Sequence, residues 1–171
     1  RTVYARADYL IVLSEAFGRV LREDYGVTAE RIHVVPGGVD AARFDVAESR
    51  AEARERLGWP ADRTILLTVR RLVRRMGLDV LIEATREVVR RRPDALLLIA
   101  GRGPLEAELQ ARIEAAGLTA HVRLIGFLSE ESLPLAYRAA DVGVTPSQAL
   151  EGFGLVALEC LAAGTPVVVT P

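Results

Sequence analysis

The feature that most constrains this chain is a regular alternation of short apolar runs with longer amphipathic ones. Strands are predicted at 64–69, 95–100, 122–125, 142–145 and 166–169, with helices between them near 78–91, 104–116, 131–140 and 154–163. The strands are apolar on both faces, as in Leu96-Leu97-Leu98-Ile99, which suits a parallel sheet covered by helices on both sides. The alternation predicts an α/β domain with a doubly wound, Rossmann-like parallel sheet from residue 45 onward. The predicted strand order is 122–125, 95–100, 64–69, 142–145, 166–169, with the reversal point between 64–69 and 142–145.

Ahead of this repeat, residues 9–13 form a continuous apolar run that reads as a buried strand. Ser14 then caps a helix that Gly26 ends, and 32–35 reads as a second short strand stopped by Pro36-Gly37-Gly38. Residues 47–57 are charged, alanine-rich and helical, closed by Gly58. The first two strands have no evident place in the main sheet, and the last strand has no covering helix after it. Arg1–Arg6 shows neither an initiator methionine nor a signal-peptide pattern. The chain therefore reads as a middle section of a longer protein.

Composition removes several functions. Basic and acidic residues number 22 and 23, a net charge of −1, without the basic excess of a phosphate-driven nucleic-acid binder. No apolar run approaches the ~20 residues of a membrane span. The single cysteine, Cys160, leaves no internal disulfide and no cysteine-rich metal site. All basic residues are arginine. Without lysine there is no Walker A loop and no Schiff base with pyridoxal phosphate. Gly-x-Ser-x-Gly is absent, and His33 and His121 are isolated, so neither a hydrolase elbow nor a metal cluster is indicated.

In an open α/β sheet, ligands bind beyond the C-terminal strand ends near the reversal point. After strand 64–69 come Arg70, Arg71, Arg74 and Arg75, then Gly77 and a helix. Four like charges between a strand end and a helix N-terminus point to an anion site, because guanidinium forks and free helix amides both suit phosphate; the alternative is a solvated basic loop. After strand 95–100, Gly101-Arg-Gly103-Pro104 lacks the third glycine of a dinucleotide fingerprint, since position 106 is Glu106. That turn either lets a ligand approach the backbone or is an ordinary strand-to-helix turn. After strand 142–145, Glu151 stands in a glycine-containing loop and Glu159 eight positions later, inside a helix apolar on every face and so expected to be buried. A buried carboxylate needs donors, which a polyhydroxylated ligand would supply. The alternative for Glu159 is a core hydrogen bond or ion pair. The amides of residues 153–155 lie between the two carboxylates in sequence.

Taken in order, these residues resemble the family 4, or group 1, retaining glycosyltransferases. The resemblance rests on Ser14, Val34-Val-Pro-Gly-Gly-Val-Asp40 and Phe44, Arg71-Leu72 with Gly77, and Gly101-Arg-Gly103-Pro104. It continues through Gly126, Ala140-Asp141-Val142, Pro146-Ser147, and Glu151-Gly-Phe-Gly-Leu with Glu159 and Ala163-Gly-Thr-Pro-Val. It implies the GT-B fold, with residues 1–40 the tail of an N-terminal acceptor domain and 45–171 an incomplete nucleotide-sugar donor-binding domain. It implies hexosyl transfer from a UDP-, GDP- or ADP-sugar to a saccharide, lipid or small-molecule acceptor. Configuration would be retained, with no metal or other cofactor. Arg71 matches the diphosphate-binding arginine. The family lysine falls on Met76, leaving Arg74 or Arg75 as the second charge, and Arg70 replaces a glycine. Glu151 matches the residue facing the donor sugar, and Glu159 the one holding the ribose hydroxyls. Phe153, Gly154 and Leu155 match the segment whose backbone meets sugar and phosphate. Gly103 belongs to the donor-side turn, and Leu128 matches the position whose backbone lies beside the base. The implied setting is cytoplasmic, with peripheral membrane contact made through the acceptor domain. The 171 residues alone are expected not to catalyse transfer. Two other readings are a nucleotide-sugar binding module without transferase activity and an NAD-binding domain, the latter lacking the glycine fingerprint.

Overall fold

The structure, a computed structural model, describes residues 2–149 and 151–170. The chain divides into two compact units, Arg1–Gly38 with Glu151–Leu155, and Val39–Leu150 with Val156–Pro171.

The first unit contains α1 (Thr2–Arg6), β1 (Leu10–Val12), α2 (Glu15–Tyr25), a 3-10 turn (Ala29–Arg31) and β2 (Ile32–Val34). β1 and β2 pair in parallel, Leu10 opposite Ile32 and Val12 opposite Val34. These two strands thus form a sheet of their own. Ser14 caps α2, its hydroxyl oxygen accepting from the amide of Phe17 at 3.3 Å, and Gly26 closes the helix in the left-handed conformation. The 151–155 loop packs here: Phe153 lies against Gly37 and Gly152 against the ring of Phe17.

The second unit opens with α3 (Ala41–Phe44) and α4 (Arg50–Leu57), the latter held by a Ser49–Glu52 capping box. There follow β3 (Thr64–Val69), α5 (Leu78–Arg91), β4 (Ala95–Ala100), α6 (Glu106–Ala115), β5 (Val122–Gly126), α7 (Ser132–Ala139), β6 (Val142–Thr145), α8 (Leu155–Ala162) and β7 (Val167–Val169). The sheet order is β5-β4-β3-β6-β7, every pair parallel, which is the predicted order with its reversal between β3 and β6. Alternation along the strands feeds two core layers. Ile65, Leu67, Leu96 and Leu98 face Phe44 and Tyr137 on one side, while Leu97 and Ile99 face Ile82, Leu109 and Ile113 on the other. All six residues of β4 are buried.

The N-terminal strand ends are tied together by polar side chains. The Asp141 carboxylate accepts from the Ile65 amide at 2.7 Å and from the buried Arg54 guanidinium at 2.6 Å. Arg54 also donates to the carbonyls of Ala61, Arg63 and Ala139. Arg63 donates to the carbonyls of Asp94 and Ala95 and meets Nδ1 of His121 at 3.1 Å. Arg92 pairs with Asp94 at 3.1 Å.

Two expectations change. The run at 9–13 is not a buried strand: Tyr9, Ile11 and Leu13 are exposed, because among the described residues β1 pairs only with β2, in a two-stranded sheet. The helix at 154–163 is not buried on every face: in α8 only Cys160 is fully buried, while Leu155 and Leu161 are 42% and 51% exposed. α8 belongs to the end of the sheet where β7 is the edge strand and exposes Val168 and Val169. The helices α1 and α3 went unpredicted because five and four residues are too few to show a helical period.

A candidate anion cleft at the carboxyl end of the sheet

The loops leaving β3 and β4 are joined backbone to backbone. The Arg70 amide donates to Ala100 O at 2.9 Å, Leu72 N to Arg102 O at 3.0 Å, and Leu105 N to Leu72 O at 3.1 Å. Gly101 and Gly103 make this approach possible. A Cβ on Gly101, which has φ 139°, would overlap the carbonyl oxygen of Arg70, and one on Gly103 would overlap that of Leu72. The Gly-x-Gly-Pro turn therefore admits the neighbouring loop, which accounts for both glycines by packing, and Gly101 also lines the cleft beside it. On the other side of β3, Gly77 has φ 67°, and a Cβ there would overlap the carbonyl oxygen of Pro146. Gln148 N donates to Arg75 O at 3.0 Å, so the loop beginning after β6 braces the arginine loop as well.

These locked loops frame an open cleft of about 430 Å³ beside β3, lined by Arg70, Arg71, Met76, Arg102, Phe127 and Val156. Arg71 is exposed, and its side chain makes no hydrogen bond or ion pair among the described residues. Arg70 is buried, 8% exposed. Met76 is buried too and presents an apolar wall, its sulfur 4.0 Å from the Ser147 hydroxyl. The Arg102 guanidinium sits 5.6 Å from the ring centroid of Phe127, which is 63% exposed.

The four arginines part company. Arg74 makes a two-pronged ion pair with Glu108 on α6, both contacts at 3.0 Å. A counter-anion for the cluster is thus supplied in part by the protein, from a residue 34 positions away that the local pattern could not reveal. Arg75 lies exposed on the 3-10 turn Arg74–Met76.

Of the other predicted residues in this unit, Leu128 is partly buried and packs against the core layer that contains Phe44 and Tyr137. Glu159 on α8 is half-buried and accepts a hydrogen bond from the hydroxyl of Tyr137 on α7 at 2.9 Å. Burial, and then the adjacent Glu159 carboxylate, hold the Tyr137 hydroxyl far above its ordinary range, so it remains a donor. Burial pushes the Cys160 thiol up to about 11, as suits a core residue. Glu151, Phe153, Gly154 and Leu155 belong to the first unit, where Glu151 is exposed and Gly154 has φ 78°. Among the described residues no group of three His, Cys, Asp or Glu gathers, and no helix is long and apolar enough to cross a membrane.

An arginine-bearing cleft at the reversal point of a doubly wound parallel sheet is the ligand-site class of such α/β folds. The profile of the glycosyl transferases, group 1, matches residues 49–171, and that of glycosyltransferase family 4 matches residues 1–43. The chain belongs to the group 1 glycosyltransferases, and its main sheet is of the GT-B type. Mannosylfructose-phosphate synthase of Agrobacterium fabrum is 35% identical over 98% of this chain and 38% of its own length. D-inositol 3-phosphate glycosyltransferase of Kineococcus radiotolerans is 38% identical over 97% of this chain and 40% of its own. Among solved structures, Anabaena HepE in complex with UDP and glucose superposes with a TM-score of 0.84 at 27% identity, over 95% of this chain and 44% of that one. Sucrose-phosphate synthase of Thermosynechococcus elongatus gives 0.81 at 34% identity, over 98% and 42%. The chain spans about two fifths of the length of these curated relatives.

Proposed function

We propose that the protein of which this chain forms part transfers a sugar from a nucleotide-diphosphate donor to an acceptor with retention of configuration and without a metal, and that residues 45–171 bind the donor. The observation that carries this reading is Arg71: an exposed guanidinium without a protein partner among the described residues, in a cleft at the β3–β6 reversal point. The HepE complex with UDP and glucose supports the nucleotide assignment through its likeness in fold and sequence.

Breaking the bond to the anomeric carbon leaves an additional negative charge on the departing diphosphate. Arg71 stabilises that charge through a charge-assisted fork, with Arg74 or Arg75 contributing the second cation in place of the lysine that Met76 replaces. The guanidinium does electrostatically what a divalent ion would do, from a loop whose backbone the glycine contacts hold in place. The backbone of Phe153, Gly154 and Leu155 meets sugar and phosphate. Glu151 steadies positive charge at the anomeric carbon, Glu159 accepts from the ribose hydroxyls, and the backbone at Leu128 lies beside the base. Residues 1–40 contribute to the acceptor side.

Calorimetric titration with UDP-, GDP- and ADP-sugars, and with NAD as comparison, tests the donor class. Saturable binding of one nucleotide sugar with none of NAD is expected. Binding of NAD alone would overturn the proposal.

A further inference from the structure

We propose that Tyr137 is the positioning residue that makes Glu159 a reader of ribose. This rests on the nucleotide-sugar reading above, which supplies the ligand that Glu159 would meet. The geometry is specific. Tyr137 is 2% exposed, its ring lies 5.9 Å from that of Phe44 in the core, and its backbone carbonyl accepts from the buried Thr165 hydroxyl at 2.8 Å. Held by the core at both ring and backbone, the side chain has one outlet for its hydroxyl, Oε2 of Glu159 at 2.9 Å.

Glu159 is the more exposed partner, on a helix whose outer face is open. Without an anchor, its carboxylate would sample several rotamers. With Oε2 held by Tyr137, the other oxygen, which has no hydrogen-bond partner among the described residues, remains as an acceptor of defined position. An acceptor fixed in advance binds a vicinal diol without the entropy cost of ordering the side chain. Burial, and then the adjacent carboxylate, raise the phenol well above its ordinary range and keep it a donor. Tyr137 touches no ligand itself. Its contribution appears only through Glu159, and only for ligands with ribose hydroxyls.

The test reads affinity for UDP, GDP and ADP and for their 2′-deoxy counterparts by calorimetry, in the wild type and in Tyr137→Phe. Phenylalanine keeps the ring packed against Phe44 and removes one oxygen. For the nucleotide that binds, wild type is expected to prefer the ribo form about tenfold, as befits a hydrogen bond to a charged group. Tyr137→Phe is expected to weaken the ribo form severalfold, leave the deoxy form nearly unchanged, and bring the ratio close to one. In a Glu159→Ala background, Tyr137→Phe should change neither affinity. If Tyr137→Phe melts without a cooperative transition, the same ratio is read in Glu159→Asp, whose shorter arm cannot hold Tyr137 and reach the ligand together; a lost ratio is again expected. A ratio unchanged in either variant, or a Tyr137→Phe loss equal for ribo and deoxy forms, overturns the positioning role. A wild type that binds none of the three diphosphates overturns the nucleotide reading instead, which separates the two failures.

Discussion

At the amino end of the five-stranded sheet, Arg54, Arg63 and Arg92 direct their donors into the protein: to Asp141, to Asp94, to His121 and to a ring of backbone carbonyls that start the strands. At the carboxyl end, Arg71 has no such partner among the described residues and lines an open cleft. The residue type is the same, and the sequence offers no lysine to mark a difference. What separates the two groups is where the strand direction places them. The starts of parallel strands present carbonyls and amides that need satisfying, and arginine, with five donors in a fixed fork, satisfies several at once. The ends of the strands open into loops whose glycines pack backbone on backbone, with Arg71 exposed at the cleft while Arg70 and Leu72 are buried. Arg74 is intermediate, at the cleft end yet paired with Glu108.

The largest way to break this contrast is Arg54→Ala. It removes a buried cation that donates to three carbonyls and leaves the Asp141 carboxylate to the Ile65 amide and the more exposed Arg50 guanidinium at 3.3 Å, and should cost about 3–5 kcal/mol in urea unfolding; a cost below about 1 kcal/mol would mean that the amino-end network is ornamental. Arg71→Ala should cost about 2–4 kcal/mol of nucleotide affinity, because a fork onto diphosphate is lost, with little change in stability. Arg74→Ala should change stability by less than about 1 kcal/mol, since both partners are solvent-accessible. It sharpens the contrast by showing whether that arginine belongs to the fold or the cleft: a loss of nucleotide affinity matching that of Arg71→Ala would move it into the cleft. The smallest effect, nil at neutral pH, is alkaline. The folded state raises the Cys160 thiol to about 11 and raises the Tyr137 hydroxyl as well, both through burial. Each raised group favours the folded state below its unfolded value, and that contribution is lost as pH climbs toward the folded value. Unfolding midpoints should therefore be flat from about pH 6 to 8 with respect to these groups and fall from about pH 9 upward. Cys160 should react with a thiol reagent at pH 8 only after unfolding.

The strand order was legible because β3 and β4 are continuous apolar runs and because right-handed crossovers leave few arrangements for five parallel strands. The arginine-rich loop after β3 was legible from the sequence. Its internal sorting was not, since Glu108 reaches Arg74 from a helix 34 residues on, and Gly101 packs against the backbone of the buried Arg70 from the next strand's loop. The surroundings of Glu159 were half legible: the need for a partner followed from an apolar helix, but Tyr137 lies 22 positions earlier, on α7. The same apolar composition misled the reading of α8, because hydrophobicity all round a helix predicts cover on all sides whether or not the unit supplies it. That residues 151–155 group with the first unit depends on contacts with Phe17 and Gly37, which no local pattern encodes.

The most direct test of the contrast between the two sheet ends is thermal melting of Arg71→Ala with and without UDP or GDP, beside wild type. The account predicts an unchanged melting temperature without nucleotide and loss of most of the stabilisation that nucleotide gives the wild type. A variant that keeps the full nucleotide-induced shift would contradict it, and would show that the cleft at the carboxyl end of the sheet does not hold the diphosphate through Arg71.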